Sequence, residues 1–110
     1  MSPEDLVFIG FNSRVMALNR ETGEFVWHWQ ARKPRTGGYV TLLLDDDHLV
    51  VSVMGYIYCL DPSNGDELWF NDTKGFGTGI ASIASVRGRT AHNPQAQAAH
   101  RTAQAAGAAM

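Results

Sequence analysis

The lone cysteine, Cys59, and the four histidines, His28, His48, His92 and His100, are the side chains that by type could attack a substrate or hold a metal. A nucleophilic thiol needs a neighbouring cation or base to lower its pKa. Cys59 lies between Tyr58 and Leu60 in an apolar run and reads as a buried structural thiol. Zinc ligands recur at short fixed spacings such as His-Glu-x-x-His, and none of the histidines stands at one. A Gly-x-Ser-x-Gly nucleophile elbow is also missing. The stretch Lys74-Gly75-Phe76-Gly77-Thr78-Gly79 could cradle an anion with its backbone N–H groups. It lacks the Gly-Lys-Ser/Thr ending of a phosphate loop and opens no helix, so its glycines read as a crossing between strands. No catalytic residue, metal or cofactor is expected.

The elements that would position these residues are β-strands. Of the 110 residues, 45% are hydrophobic, enough for a packed core. All three Trp, three Tyr and five Phe precede residue 87. The reading is a globular part over 1–88 and an Ala/Gln-rich tail over 89–110, partly helical or disordered, with Asn93-Pro94 as its helix start. A net charge of −2 argues against general affinity for nucleic acid or membrane surface. The N-terminus shows no signal-peptide pattern and no apolar run is long enough to span a bilayer, so a cytoplasmic location is the default expectation.

A repeat organises the globular part. Val15 to Trp27 recurs as Ile57 to Trp69 at an offset of 42 residues without a gap, bringing Leu18 onto Leu60, Gly23 onto Gly65 and Trp27 onto Trp69. The same offset lays Val7-Phe8-Ile9 on Leu49-Val50-Val51 and Tyr39–Leu44 on Ala81–Val86. A period of that length suits a four-stranded propeller blade. Tyr39–Leu44, His48–Val53, Tyr56–Leu60 and Glu67–Phe70 are rich in β-branched and aromatic residues and are divided by turn signals. With strands lettered A to D from inside outward, the expected order is B-C-D, A-B-C-D, A, the final A running from Gly79 to Val86. Gly23 and Gly65 occupy turns that need φ > 0. Asn19 and Asp61 can bond the turn backbone. Ala17 and Cys59 leave room beneath Trp27 and Trp69, which are expected to pack blade on blade.

The pattern Ala17, Asn19, Thr22, Gly23, Trp27, with its second copy Cys59, Asp61, Gly65, Trp69, resembles the tryptophan-docking repeat of the pyrroloquinoline-quinone-like (quinoprotein-type) β-propellers. The second copy departs from it, with Cys59 for Ala and Asn64 for Thr. The resemblance covers 6–86 and implies an all-β propeller fold. Quinone-dependent dehydrogenases of this kind carry a vicinal Cys pair and a Glu/Asn/Asp metal site, for which no match is found here. The chain therefore reads as a non-catalytic interaction scaffold. The alternative is a protein that binds a quinone or another anionic small molecule in a central channel.

Two blades close no ring, and the first lacks its A strand while the last A lacks a B. A cyclic homo-oligomer resolves this, a trimer giving six blades or a tetramer eight, with eight favoured by the resemblance. The alternative is a chain that is part of a longer propeller. Acidic residues cluster at the A–B and C–D turns, among them Glu21, Glu24, Asp45, Asp46, Asp47, Asp66 and Glu67. The basic residues Arg32, Lys33, Arg35 and Lys74 fall on the B–C and D–A side. They form a candidate binding face for an acidic protein or anionic ligand.

Overall fold

A computed structural model of the chain describes residues 2–90. After a 3₁₀ turn at Pro3–Asp5, the strands β1 (Leu6–Phe11), β2 (Arg14–Asn19) and β3 (Phe25–Gln30) form one antiparallel sheet in that order. The strands β4 (Val40–Asp45), β5 (His48–Val53), β6 (Tyr56–Leu60), β7 (Glu67–Asn71) and β8 (Arg89–Thr90) form a second, in the order β7-β6-β5-β4-β8. The architecture is all-β, with no α-helix among the described residues and no helix long and apolar enough to cross a membrane. The proposed helix start at Asn93-Pro94 lies outside the described residues.

The two sheets repeat each other in detail. The equivalent turns β1–β2 and β5–β6 each place two successive residues at positive φ, Asn12 (50°) and Ser13 (62°) in one, Met54 (54°) and Gly55 (98°) in the other. That backbone twist matches the twist of the strands it joins. In each, the ladder to the outer strand slips by one residue at the same place, between Ala17 and Leu18 and between Cys59 and Leu60. The core lies between the sheets: Leu6, Val15, Ala17, Trp27, Leu42, Leu49, Val51, Val53, Tyr58 and Leu60 are buried in one cluster.

One expected strand is not formed. Gly79–Val86 carries no strand, and the eighth strand is instead the two-residue β8, which runs antiparallel to β4 through Leu43 and Leu44. The reason is topological. A Cβ on Gly10 would touch Leu42, and one on Gly88 would touch Leu43. Adjacent residues of β4 point to opposite faces, so the second sheet stands between the segment ending at Gly88 and β1, the edge it would complete. Just before β8, Arg87 meets Asp46 at 2.8 Å.

Candidate functional site

The seam between the sheets is built by the repeated residues. Ala17 faces Trp27 across the β2–β3 ladder, and its lack of a side chain beyond Cβ leaves space for the indole. Trp27 Nε1 donates to the carbonyl of Pro62 at 3.0 Å, and a Cβ on Gly65 would lie 2.5 Å from the Trp27 ring. Trp27 therefore lies flat on a turn of the second sheet that only glycine permits. Gly65 has a φ of 81°, and its N–H donates to the Asp61 carbonyl at 2.7 Å. Asp61 Oδ1 accepts from Ser63 N and Ser63 Oγ, and these bonds hold its carboxyl below the usual range.

The turn of the first sheet is a close copy. Gly23 has a φ of 76°, its N–H donates to the Asn19 carbonyl at 2.8 Å, and Asn19 Oδ1 accepts from Glu21 and Thr22. Yet nothing lies within 4 Å of where a Gly23 Cβ would stand. The two tryptophans differ correspondingly: Trp27 is 7% exposed and Trp69 46%. Beneath Trp69 the Cys59 thiol is fully buried, and burial pushes its pKa up to about 11. At neutral pH it is a protonated thiol, not a nucleophile.

Arg32 is exposed, like the other residues of the candidate face, and it is also paired across the seam. Its guanidinium bonds both Glu67 carboxylate oxygens, at 2.8 and 3.0 Å, and lies over the rings of Tyr58 and Phe70. The Glu67 bond raises the Arg32 pKa further. Trp29 joins the cluster, donating to Glu67 at 3.3 Å and meeting Tyr58 edge-on at 4.6 Å. Sequence separation hid this pairing, because Arg32 and Glu67 were assigned to opposite ends of the blades. An arginine is long enough to lie along the gap between sheets, covering apolar surface with its stem.

At one end of the molecule the β1–β2 and β5–β6 turns are laced to the two long loops. Ser13 N donates to Gly38 O, Ser13 Oγ accepts from Gly38 N, and Asn12 Oδ1 accepts from Gly37 N. Met54 N donates to Tyr39 O, Gly79 N to Met54 O, and Thr73 Oγ1 to Gly55 O. Lys33, Arg35 and Lys74 are exposed in these loops. So are Tyr39 and Phe76, and Phe76 is 89% exposed. Neither aromatic was singled out by sequence reasoning. The signal for Phe76 was available: a large ring between Gly75 and Gly77 contributes nothing to a turn. At the opposite end Arg87 lies 3.9 Å from Asp45 and 2.8 Å from Asp46, and His48 Nδ1 is within hydrogen-bond distance of Asp47, at 2.7 Å. No group of three or more His, Cys, Asp or Glu among the described residues is placed to hold a metal.

A family model described as "Outer membrane protein assembly factor BamB" matches residues 11–109. The match runs beyond Val86, where the resemblance read from residue types ended. No curated protein matches the chain.

Proposed function

From the premise that this chain belongs to the PQQ-like repeat family of that model, we propose that it is a non-catalytic scaffold that binds a protein segment at its laced loop end. The observation that supports this most is Phe76, a fully presented aromatic ring beside Lys74. Protein-binding hot spots are enriched in Trp, Tyr and Arg, and Phe is enriched at interfaces as well. Here Tyr39 and Phe76 stand in two loops that are both bonded to the Met54-Gly55 turn, and Lys33, Arg35 and Lys74 are exposed in the same two loops. The partner that fits is an acidic segment carrying apolar side chains. Arg32 is not counted in this face, since its charge is already paired with Glu67.

The test is titration of the full chain with a glutamate–tyrosine copolymer, read by fluorescence anisotropy. Binding should weaken with salt, because exposed charges are screened over about 8 Å at physiological ionic strength. Phe76→Ala and Lys74→Glu should each weaken it about tenfold, the equivalent of about 1.4 kcal/mol. Binding that ignores salt, or that survives Phe76→Ala unchanged, overturns the reading.

A further inference from the structure

The repeat permits a comparison of equivalent positions in the two sheets, and their exposures disagree in one consistent direction. Val7, Ile9 and Phe11 of β1 are 40, 37 and 55% exposed, whereas their counterparts Leu49, Val51 and Val53 of β5 are 1, 0 and 0% exposed. The β5 residues are buried because the first sheet covers that face. The β1 residues are the same face of the same unit with nothing over it. On the opposite side of the molecule the disagreement reverses. Trp27 is seated on the Gly65 turn, while Trp69 is half-exposed. The Gly23 turn has the backbone of the Gly65 turn and the same glycine conformation, with no ring on it.

A third feature has the same geometry. The chain leaves the laced end at Gly79, whose N–H bonds Met54, and reaches the acidic end at Arg87, which meets Asp46. Between these points it runs the height of the second sheet without forming a strand, and Val86 is fully exposed. By the repeat this segment corresponds to β4, the inner strand of the second sheet. β1 is an edge strand of a sheet that has no such inner strand.

We propose that these surfaces meet between two copies of this chain, head to tail. Trp69 of one copy seats on the Gly23 turn of the next, beside the Val7, Ile9 and Phe11 face, and residues 80–86 of the first pair with β1 of the second. One operation, the step that carries the first sheet onto the second, satisfies all three mismatches. The contact is heterologous, so it repeats until a ring closes or a filament grows. The central residues Val7, Ile9, Phe11 and Trp69 are uncharged, so the charge requirement there is small. The interface adjoins the laced loop end at Phe11 but does not rest on the acidic-segment reading.

The test uses the full chain and two variants chosen at exposed positions, so that each chain keeps its fold. Trp69→Glu removes the ring and Ile9→Glu charges the receiving face. Circular dichroism verifies folding and light scattering reads the native mass. The wild-type chain should assemble, and each variant alone should be monomeric. Mixed, they should form a one-to-one dimer and nothing larger, since each retains the half that the other lost. A wild-type chain that stays monomeric at the highest soluble concentration overturns the proposal. So does an assembly that both variants leave intact, or a mixture of folded variants that fails to pair. Copolymer binding by the two variants should remain wild-type, which keeps the two tests separate.

Discussion

At the scale of single residues, two glycines with one backbone conformation have different neighbours, and substitutions should separate the two effects. Gly23→Ala meets open space and pays only the left-handed backbone, about 1–2 kcal/mol. Gly65→Ala meets the same strain and also the Trp27 ring, so it should cost clearly more, toward that of Trp27→Ala at about 3–5 kcal/mol. Denaturant midpoints of dilute, unassembled samples would order these variants, and equal costs at both glycines there would contradict the seated ring. Cys59 makes a second prediction. Its folded pKa is raised, chiefly by burial and then by Asp47 and Asp45. The unfolded chain therefore loses this proton first as pH rises. The stability the protonated thiol contributes is complete below the unfolded value of about 8.5 and falls as pH rises toward about 11. Cys59→Ala should flatten that alkaline decline in a pH series of thermal melts. Iodoacetamide at pH 8 should label the wild-type thiol only in denaturant.

At the scale of elements, the second sheet is complete in itself and the first is not. β5 and β6 sit between paired neighbours and supply five of the twelve buried residues of the core cluster. β1 and β7 are edge strands, and every residue of β7 is exposed. Residues 80–86 form no element at all in the single chain. Proline removes the N–H that a strand ladder needs. Ser82→Pro or Ala84→Pro should thus leave the far-UV spectrum and midpoint of a dilute, unassembled sample unchanged while reducing the assembled fraction. A loss of secondary structure in the dilute sample would show that the segment supports its own chain's fold. The repeat could be aligned over 81–86 from residue types, because Thr78-Gly79 falls on Thr36-Gly37 at the same offset. Whether the segment becomes a strand depends on an edge being within reach, and alignment carries no information about reach.

At the scale of the molecule, apolar surface is divided unequally between an internal seam and two outer faces. If the outer faces meet in solution, association stabilises the folded state by mass action, and the melting temperature should rise with protein concentration. Trp69→Glu should abolish that dependence while changing the dilute melting temperature little. A concentration-independent melt of the wild-type chain would speak against assembly. The charge distribution operates at the same scale. The grouping of Lys33, Arg35 and Lys74 at the laced end follows from strand order, because alternate turns of an up-and-down sheet share an end.

The sequence alone determined the repeat, the order of the first seven strands, the turn glycines and the register of small residue against tryptophan. Those features are local, set by side-chain alternation, by positive φ and by an offset of 42 residues that any reader can align. Only the tertiary structure decided what each repeated residue does. Trp27 and Trp69 are the same residue in the same motif, yet one is a core anchor and the other an exposed ring. Arg32, assigned from its loop to the candidate binding face, is paired across the seam with Glu67, and Phe76, set between two glycines, projects into solvent. The physical reason is the same in each case. Burial and pairing depend on what stands opposite a side chain, and in a stack of blades the opposing surface always comes from the next unit.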